Sequence, residues 1–320
     1  MPRFICLALL LVLSDAGAAT ANEFPSQPIR VTVPFAAGGI NDVIARIVTQ
    51  RLSENLKATI IIENRGGAGG TLGSAAVAQS APDGSSLLFS SSSTMAVSPS
   101  IYKNLSYDPV KDFSPITQIA TVASVLVVNP KLPVNSLEEL IAYAKANPGK
   151  LTFGSGGVGA AQHLGAELLK KMAGLDMVHV PYRGGGPAVS DLLAGHLSFI
   201  IELMPVALPH IQQGSLRALA VSTPQRSAVL PNLPTIAETL PGYDLTIWLG
   251  LFAPRGTPPE IVKRLNKEMV DILRVPAMRE RLAGQGAEPV GDTPEEFAAY
   301  VKTEIARWAA VVREAGIKPD

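Results

Sequence analysis

The chain is 320 residues long, 47% hydrophobic and 17% charged, a composition that describes a well-buried globular protein and excludes a disordered tail. Lysine plus arginine and aspartate plus glutamate number 27 each, so the net charge is zero and no basic excess exists to neutralise phosphates. That balance argues against nucleic acid as a partner.

The N-terminus reads as a leader. Arg3 precedes the apolar stretch Phe4–Leu13, which is too short to span a bilayer comfortably. Small residues follow, and Ala19-Thr20-Ala21 matches an A-x-A cleavage pattern. Residues 1–21 are therefore expected to be a signal peptide, removed after Ala21 to leave an exported chain starting at Asn22. The only cysteine, Cys6, lies inside this leader, so the mature chain is expected to have no disulfide, thiolate metal site or cysteine nucleophile.

Ile29–Val33 reads as a strand, broken by Pro34 and the loop Phe35–Gly39. Ile40–Leu56 places Val43, Ile44, Ile47, Val48, Leu52 and Leu56 at helical spacing, with Asn41 or Asp42 as the natural N-cap. Thr59–Ile62 is a second strand, followed by a glycine-rich loop, an alanine-rich helix and a turn at Asp83-Gly84. Leu87–Phe89 is a third strand, with a polar loop, Ser90–Ser100, at its end. The alternation then continues: strand Val122–Val128, helix Ser136–Ala146 capped by Ser136, strand Leu151–Phe153 and helix Gly159–Ala173. Strand Met177–Val180, helix Pro187–Ala194, strand Phe199–Ile201, helix Val206–Gln213 and strand Ala218–Val221 follow. From Pro258 the pattern is helical, over Glu260–Leu273, Ala277–Gln285 and Pro294–Val312.

Strands alternating with helices predict an α/β protein with parallel sheets covered on both faces. Two such units and a helical C-terminal segment predict two lobes, with the chain crossing between them near Ile119–Ala123 and Gly242–Trp248. Lobe 1 would then comprise residues 22–122 and 245–320, and lobe 2 residues 123–244.

In such sheets ligands bind beyond the carboxyl ends of strands, at helix N-termini. Pro34–Gly39 runs directly into a helix, Ser90–Thr94 offers five hydroxyls in a row, and Gly154–Gly159 is glycine-rich. None of the three carries a cationic side chain, which suits a carboxylate held by neutral donors, each charge-assisted hydrogen bond contributing about 1.5–3 kcal/mol. His163, early in its helix, is placed to face the cleft. Glu202, at the end of a strand, is placed to meet a ligand amine or hydroxyl, or else to lie exposed on a loop. Tyr182 and Trp248 are candidates for the pocket wall, while Trp308 reads as packing. There is no H-E-x-x-H pair, nucleophile elbow or P-loop lysine, so neither a metal site nor a catalytic group is indicated.

Gly154-Ser155-Gly156-Gly157-Val158-Gly159 satisfies G-x-G-x-x-G, the fingerprint of dinucleotide-binding folds. An acidic residue should then end the next strand, but Pro181-Tyr182-Arg183 follows Met177–Val180. Arg183 leaves an NADP-type partner conceivable; the missing carboxylate and the expected export argue against an NAD(P) oxidoreductase.

The segments Phe24–Arg46, Glu63–Gly84, Gly154–Leu169, His179–Gly195 and Leu251–Asn266 resemble the signatures of the solute receptors of tripartite tricarboxylate transporters, the TctC or Bug receptors. The resemblance runs in order from about Phe24 to Lys318. It implies a periplasmic, two-lobed, type II-like binding protein with parallel-rich sheets flanked by helices and a hinge between lobes. It implies a monomer without cofactor or catalysis that delivers a small organic carboxylate to membrane permease subunits. A ligand sensor for a signalling kinase is the alternative from another class.

By the same resemblance, the ligand carboxylate is held by the loop Phe35, Ala36, Ala37, Gly38, Gly39, Ile40, Asn41 and Asp42. The glycine loop, with Gly154, Ser155, Gly156, Gly157 and Gly159, holds it from the other side. Ser92, Thr94, Met95 and Glu202 line the remaining walls. Ile40 stands where the family usually has a small residue, Met95 where His or Asn is common, and Glu202-Leu203 where Asp-Asn is frequent. These departures bear on which carboxylate is bound.

Overall fold

The computed structural model describes residues 24–182, 184–314 and 316. The leader over residues 1–21 with Cys6 and the start at Asn22, as well as Arg183 and Lys318, lie outside the described residues.

Strand β1 (Ile29–Val33) passes through a turn into α1 (Ile40–Leu56), whose Ile44, Val48 and Leu52 are wholly buried. Neither Asn41 nor Asp42 caps this helix; Gly39 stands at the N-cap without a side-chain bond. Strand β2 (Ile60–Asn64), helix α2 (Thr71–Ala78) and strand β3 (Ser86–Ser91) follow. The stretch after β3 is not the loop its serines suggest. Ser93–Val97 forms a wide helical turn that runs into α3 (Ser98–Ile101), with Thr94, Met95, Ala96 and Val97 buried. Local hydrogen bonds absorb the hydroxyls: Ser91 Oγ lies 2.8 Å from Ser93 Oγ, and Ser98 Oγ donates to the Ser93 carbonyl at 3.1 Å. Polar residues thereby become compatible with burial.

Strand β4 (Phe113–Val122) and strand β5 (Ser124–Val128) are separated by Ala123 alone, so the single strand read over Val122–Val128 is the second half of a longer path. Helix α4 (Leu137–Ala146) starts at Ser136, whose Oγ accepts from Glu139 N at 3.2 Å. Then come β6 (Thr152–Ser155), α5 (Ala161–Ala173), β7 (Val178–Pro181), α6 (Gly185–Ala194), β8 (Phe199–Leu203), α7 (Met204–Gln212) and β9 (Arg217–Val221). Helix α8 (Ile236–Thr239), strand β10 (Ile247–Pro254), helices α9 (Pro259–Arg274) and α10 (Pro276–Ala283), strand β11 (Ala287–Pro289) and helix α11 (Pro294–Glu314) complete the described chain.

The strands form a six-stranded sheet, β11-β4-β10-β3-β1-β2, and a five-stranded sheet, β7-β6-β8-β5-β9. Both are mixed, where strand–helix alternation alone predicts parallel pairing. β1 runs parallel to β2 and β3, but β10 is antiparallel to β3 and β4. In the second sheet β6 runs parallel to β7 and β8, whereas β5 is antiparallel to β8 and β9. The reason is the crossing itself. A strand that has just crossed begins at the boundary between sheets and runs away from it, against neighbours that end there. β5 and β10 are those strands.

The crossings are tied together by Ser222, which is completely buried. Its Oγ accepts from Ser124 N at 3.0 Å and donates to the Leu245 carbonyl at 2.9 Å. Its own N–H reaches the Ser124 carbonyl and its carbonyl accepts from Leu245 N, both at 2.9 Å. Ser222→Ala would leave Ser124 N and the Leu245 carbonyl unpaired in the interior. A loss of stability of about 1–3 kcal/mol is expected in urea titration; a midpoint equal to that of the wild type would contradict the role given to this hydroxyl.

Candidate ligand site

Between the sheets the carboxyl ends of β1, β3, β6 and β8 meet the starts of α1 and α5. The first loop is braced by Asp42, whose Oδ2 accepts from Gly38 N at 2.9 Å and from Arg46 Nε at 3.1 Å. Its Oδ1 accepts from Asn64 Nδ2 at 3.0 Å, and the same amide donates to the Phe35 carbonyl at 3.1 Å. Burial raises the Asp42 carboxyl, but hydrogen bonds from Arg46, Gly38 and Asn64 outweigh it and hold it below the ordinary carboxylate range. With both oxygens engaged, Asp42 shapes the loop and takes no place in the cavity wall. Gly38 turns at φ 83°, a conformation that side chains strain to adopt.

The glycine loop rests on a stack of rings. Phe153 lies against His179 with centroids 5.0 Å apart, and His179 against His163 at 3.9 Å. His163 is 5% exposed, and its Nδ1 accepts from Gly159 N at 3.1 Å, which assigns the proton of the neutral ring to Nε2. Ser155 Oγ donates to the Gly157 carbonyl at 2.9 Å and accepts from Gly157 N at 3.1 Å. Its single proton being used, it receives a hydrogen bond from His179 Nε2 at 2.7 Å. Burial, the neighbouring His179 and Lys170 push the His163 pKa down to about 4; burial and Lys170 also depress His179.

A cavity of about 420 Å³ opens between these loops. Phe35, Ile40 and Asn41 form one side, Gly156, Val158 and Gly159 the opposite side, and Ser91, Ser93 and Ser98 an edge of hydroxyls. Ser124 and Ile247, the first residues of the strands that begin at the crossings, close it further. A second cavity of about 390 Å³ adjoins it across Ile40, Gln162 and Leu203, with Gly38, Gly39, Gly185 and Glu202 in its wall. Asn41 Oδ1 is buried without a hydrogen-bond partner. Among the described residues no lysine, arginine or histidine lines either cavity, and no three His, Cys, Asp or Glu side chains converge as a metal would need.

Of the residues singled out from sequence, Phe35, Ile40, Asn41, Gly156 and Gly159 line the first cavity, and Gly38, Gly39, Ile40 and Glu202 the second. Ala36 and Ala37 are exposed on the same loop. Gly154, Ser155, Gly157 and His163 act from behind, fixing the glycine loop. Ser92, Thr94 and Met95 are buried beside the site; Thr94 Oγ1 donates to the Gly69 carbonyl at 3.3 Å, and Gly69 is the residue that reaches the cavity. Tyr182 turns aside, its hydroxyl donating to Asp191 Oδ2 at 2.6 Å. Trp248 is no wall residue: it is fully buried against Phe297 and Tyr300, with Nε1 donating to Glu304 Oε2 at 3.2 Å. Strand alternation sends Ile247, its neighbour, to the cavity instead.

Sequence reasoning missed Ser98, Ile101, Tyr102, Ser124, Gln162 and Ile247. The estimated crossings already pointed near Ser124 and Ile247. The helical turn after β3, read as loop, concealed Ser98, Ile101 and Tyr102.

Two α/β sheets meeting at a cavity built on strand ends, with no cationic side chain among its described lining residues, are the architecture of a solute-binding receptor. The model of the tripartite tricarboxylate transporter family receptor matches residues 44–317, and the chain belongs to that family. It is 42% identical to protein BugT of Bordetella pertussis over 99% of each chain. Among solved structures, R. palustris Rpa4515 with adipate is 38% identical with a TM-score of 0.84, covering 93% of this chain and 100% of that one. MatC (Rpa3494) of Rhodopseudomonas palustris with bound malate is 34% identical with a TM-score of 0.78, over 90% and 100% of the two chains.

The His163 ring gives the site a pH dependence with a definite sign. Its ordinary pKa of 6.5 applies to the unfolded chain, and about 4 to the folded one. Between those values the unfolded chain binds a proton that the folded chain does not, so stability falls as pH falls through this window. Protonation also removes the acceptor from Gly159 N. His163→Asn offers Oδ1 in place of Nδ1 but does not titrate. Urea denaturation at pH 7 and pH 4 should show the wild type losing about 3 kcal/mol more than this variant; equal losses would refute the assignment.

Proposed function

We propose that the protein is an exported, monomeric receptor of the bacterial periplasm that captures a small organic carboxylate between its lobes. It binds without turnover and presents the closed form to the permease subunits of a tripartite transporter. Residues 22–122 with 245–320 form one lobe and 123–244 the other, and the hinge lies at the crossings joined by Ser222. Hinge closure of this type exposes a surface that exists only in the liganded state.

The observation that carries this reading is the cavity facing the starts of α1 and α5 with no cationic side chain among the described residues lining it. The first N–H groups of a helix have no intrahelical acceptor and carry the positive end of its dipole. A carboxylate between two such ends meets donors without a competing counter-ion. The Asn41 amide and the serine edge add neutral partners. Two or three charge-assisted bonds of about 1.5–3 kcal/mol each, with burial of the ligand carbons, suffice for a micromolar dissociation constant. The adipate and malate held by the two similar structures belong to the same chemical class.

A thermal-shift screen of the mature chain, unfolded and refolded to remove carried ligand, should respond to organic carboxylates and not to sugars. A ligand at 100 times its dissociation constant stabilises by about 2.7 kcal/mol. A response to nicotinamide cofactors alone would overturn the reading. The variant Gly39→Val tests the geometry: Gly39 has φ −75°, and a Cβ there meets only the Ala36 carbonyl oxygen, at 3.5 Å. The chain should fold, while the branched side chain beside the start of α1 lowers carboxylate affinity at least tenfold in titration calorimetry. Undiminished affinity would remove this loop from the site.

A further inference from the structure

Glu202 is the one acidic side chain among the described residues lining the two cavities, and it is 2% exposed. Its Oε1 is satisfied twice, by Gln162 Nε2 at 3.1 Å and by Leu203 N at 2.8 Å. Its Oε2 is buried with no hydrogen-bond partner. That oxygen faces Gly185, which also lines the second cavity: a Cβ on Gly185 would stand 2.8 Å from it. The missing side chain of Gly185 is thus the opening in front of Oε2. Gln162 and Leu203, which fix Oε1, belong to the walls of both cavities, so the carboxyl sits at their junction.

A buried carboxyl left half-paired is costly, and what relieves it is a donor, above all a charged one. A second carboxylate on the ligand would bring an acceptor to an acceptor, with no cationic side chain among the described lining residues to separate them. A hydroxyl would satisfy Oε2 but leave the buried charge unbalanced. An ammonium group does both. We propose that Glu202 Oε2 receives the protonated amine of the ligand through the gap at Gly185, so that this receptor selects amino-carboxylates over dicarboxylates. The proposal rests on the carboxylate reading given above and adds the chemistry of the ligand's other polar group. Burial, which pushes the Glu202 carboxyl above its ordinary range, is then offset only when such a ligand arrives.

Titration calorimetry on the refolded mature chain tests this with acids of three to six carbons, matched in length. Each length is offered with an amine at the α or ω carbon, and as the diacid, the ω-hydroxy acid and the unsubstituted acid. The best amino acid should bind at least tenfold more tightly than the diacid and the unsubstituted acid of its length. In Glu202→Gln, and separately in Gly185→Ala, whose methyl group fills the opening, that ratio should fall to about twofold or less. Diacids that bind the wild type as tightly as amino acids would mean that Glu202 carries a proton and donates it, and the proposal would fall. It would also fall if both variants kept the tenfold preference. If simple alkylamines without a carboxylate bound as well as amino acids, the carboxylate reading itself would be at fault; if unsubstituted acids bound as well as amino acids, that reading would stand and the role of Glu202 would not.

Discussion

The hydroxyl of Ser222 holds the two crossings of the chain side by side, and the site exists because they are held there. Each crossing delivers the first residue of a new strand, Ser124 or Ile247, to the cavity. Each also forces that strand to run against neighbours whose carboxyl ends point into the same space. Mixed sheets are therefore the geometric signature of a cleft that the backbone traverses, and the loops of both sheets converge on it without side-chain direction. Ser222 Oγ bridges Ser124 and Leu245 at 3.0 and 2.9 Å.

With the loops brought together, the cavity gains its character from what surrounds it at one remove. Asp42 and Arg46 form an ion pair at 2.9 Å, but it faces the loop and adds no charge to the cavity wall. The histidines follow the same pattern. Their depressed basicity keeps them uncharged near neutral pH, so the glycine loop is supported by a neutral stack and its N–H groups keep their polarity for an anion. At the first cavity charge is used to build the loops and helix dipoles face the opening, while Glu202 is the one acidic group among the described residues lining the second. A site of this kind tolerates changes in ligand shape, because specificity falls to the few side chains at its far end, Ile40, Gln162 and Glu202 among them.

Much of this was legible in the sequence where one signal dominated. The period of α1, the cap at Ser136 and the strand–helix alternation from β5 to β9 each follow from local pattern, and the resemblance to receptors placed the two loops that meet at the cavity. What escaped depended on partners remote in the chain. Ser93–Ile101 reads as loop until Tyr107, whose hydroxyl donates to the Thr94 carbonyl at 2.7 Å, and the core around Met95 are in place. Strand β10 is buried along its whole length and shows no apolar–polar alternation to mark its faces, and its pairing with β4 is a long-range event. Trp248 and Ile247 could be assigned to opposite faces only once the strand's orientation was fixed.

The motif Gly154–Gly159 shows how a correct pattern can carry a different function. A side chain at Gly154 would strike Leu197, Ile200 and Ala188, so this glycine serves packing beneath α6. At Gly156 a Cβ would press on the backbone of Gly184 and Gly185 at 3.3 Å, so here the glycine admits the close approach of the α6 start. Gly159 turns at φ 78° and donates to His163, directing the chain into α5. Tight turn, close approach and helix packing are the tasks the same letters perform in dinucleotide folds. What those folds add is a carboxylate at the end of the next strand, and here that place is Pro181. The acid sits one strand further on, at Glu202 in β8, beside the start of α6 and in the wall of the second cavity. The glycines bring a helix N-terminus to the first cavity, and Glu202 stands where that cavity adjoins the second.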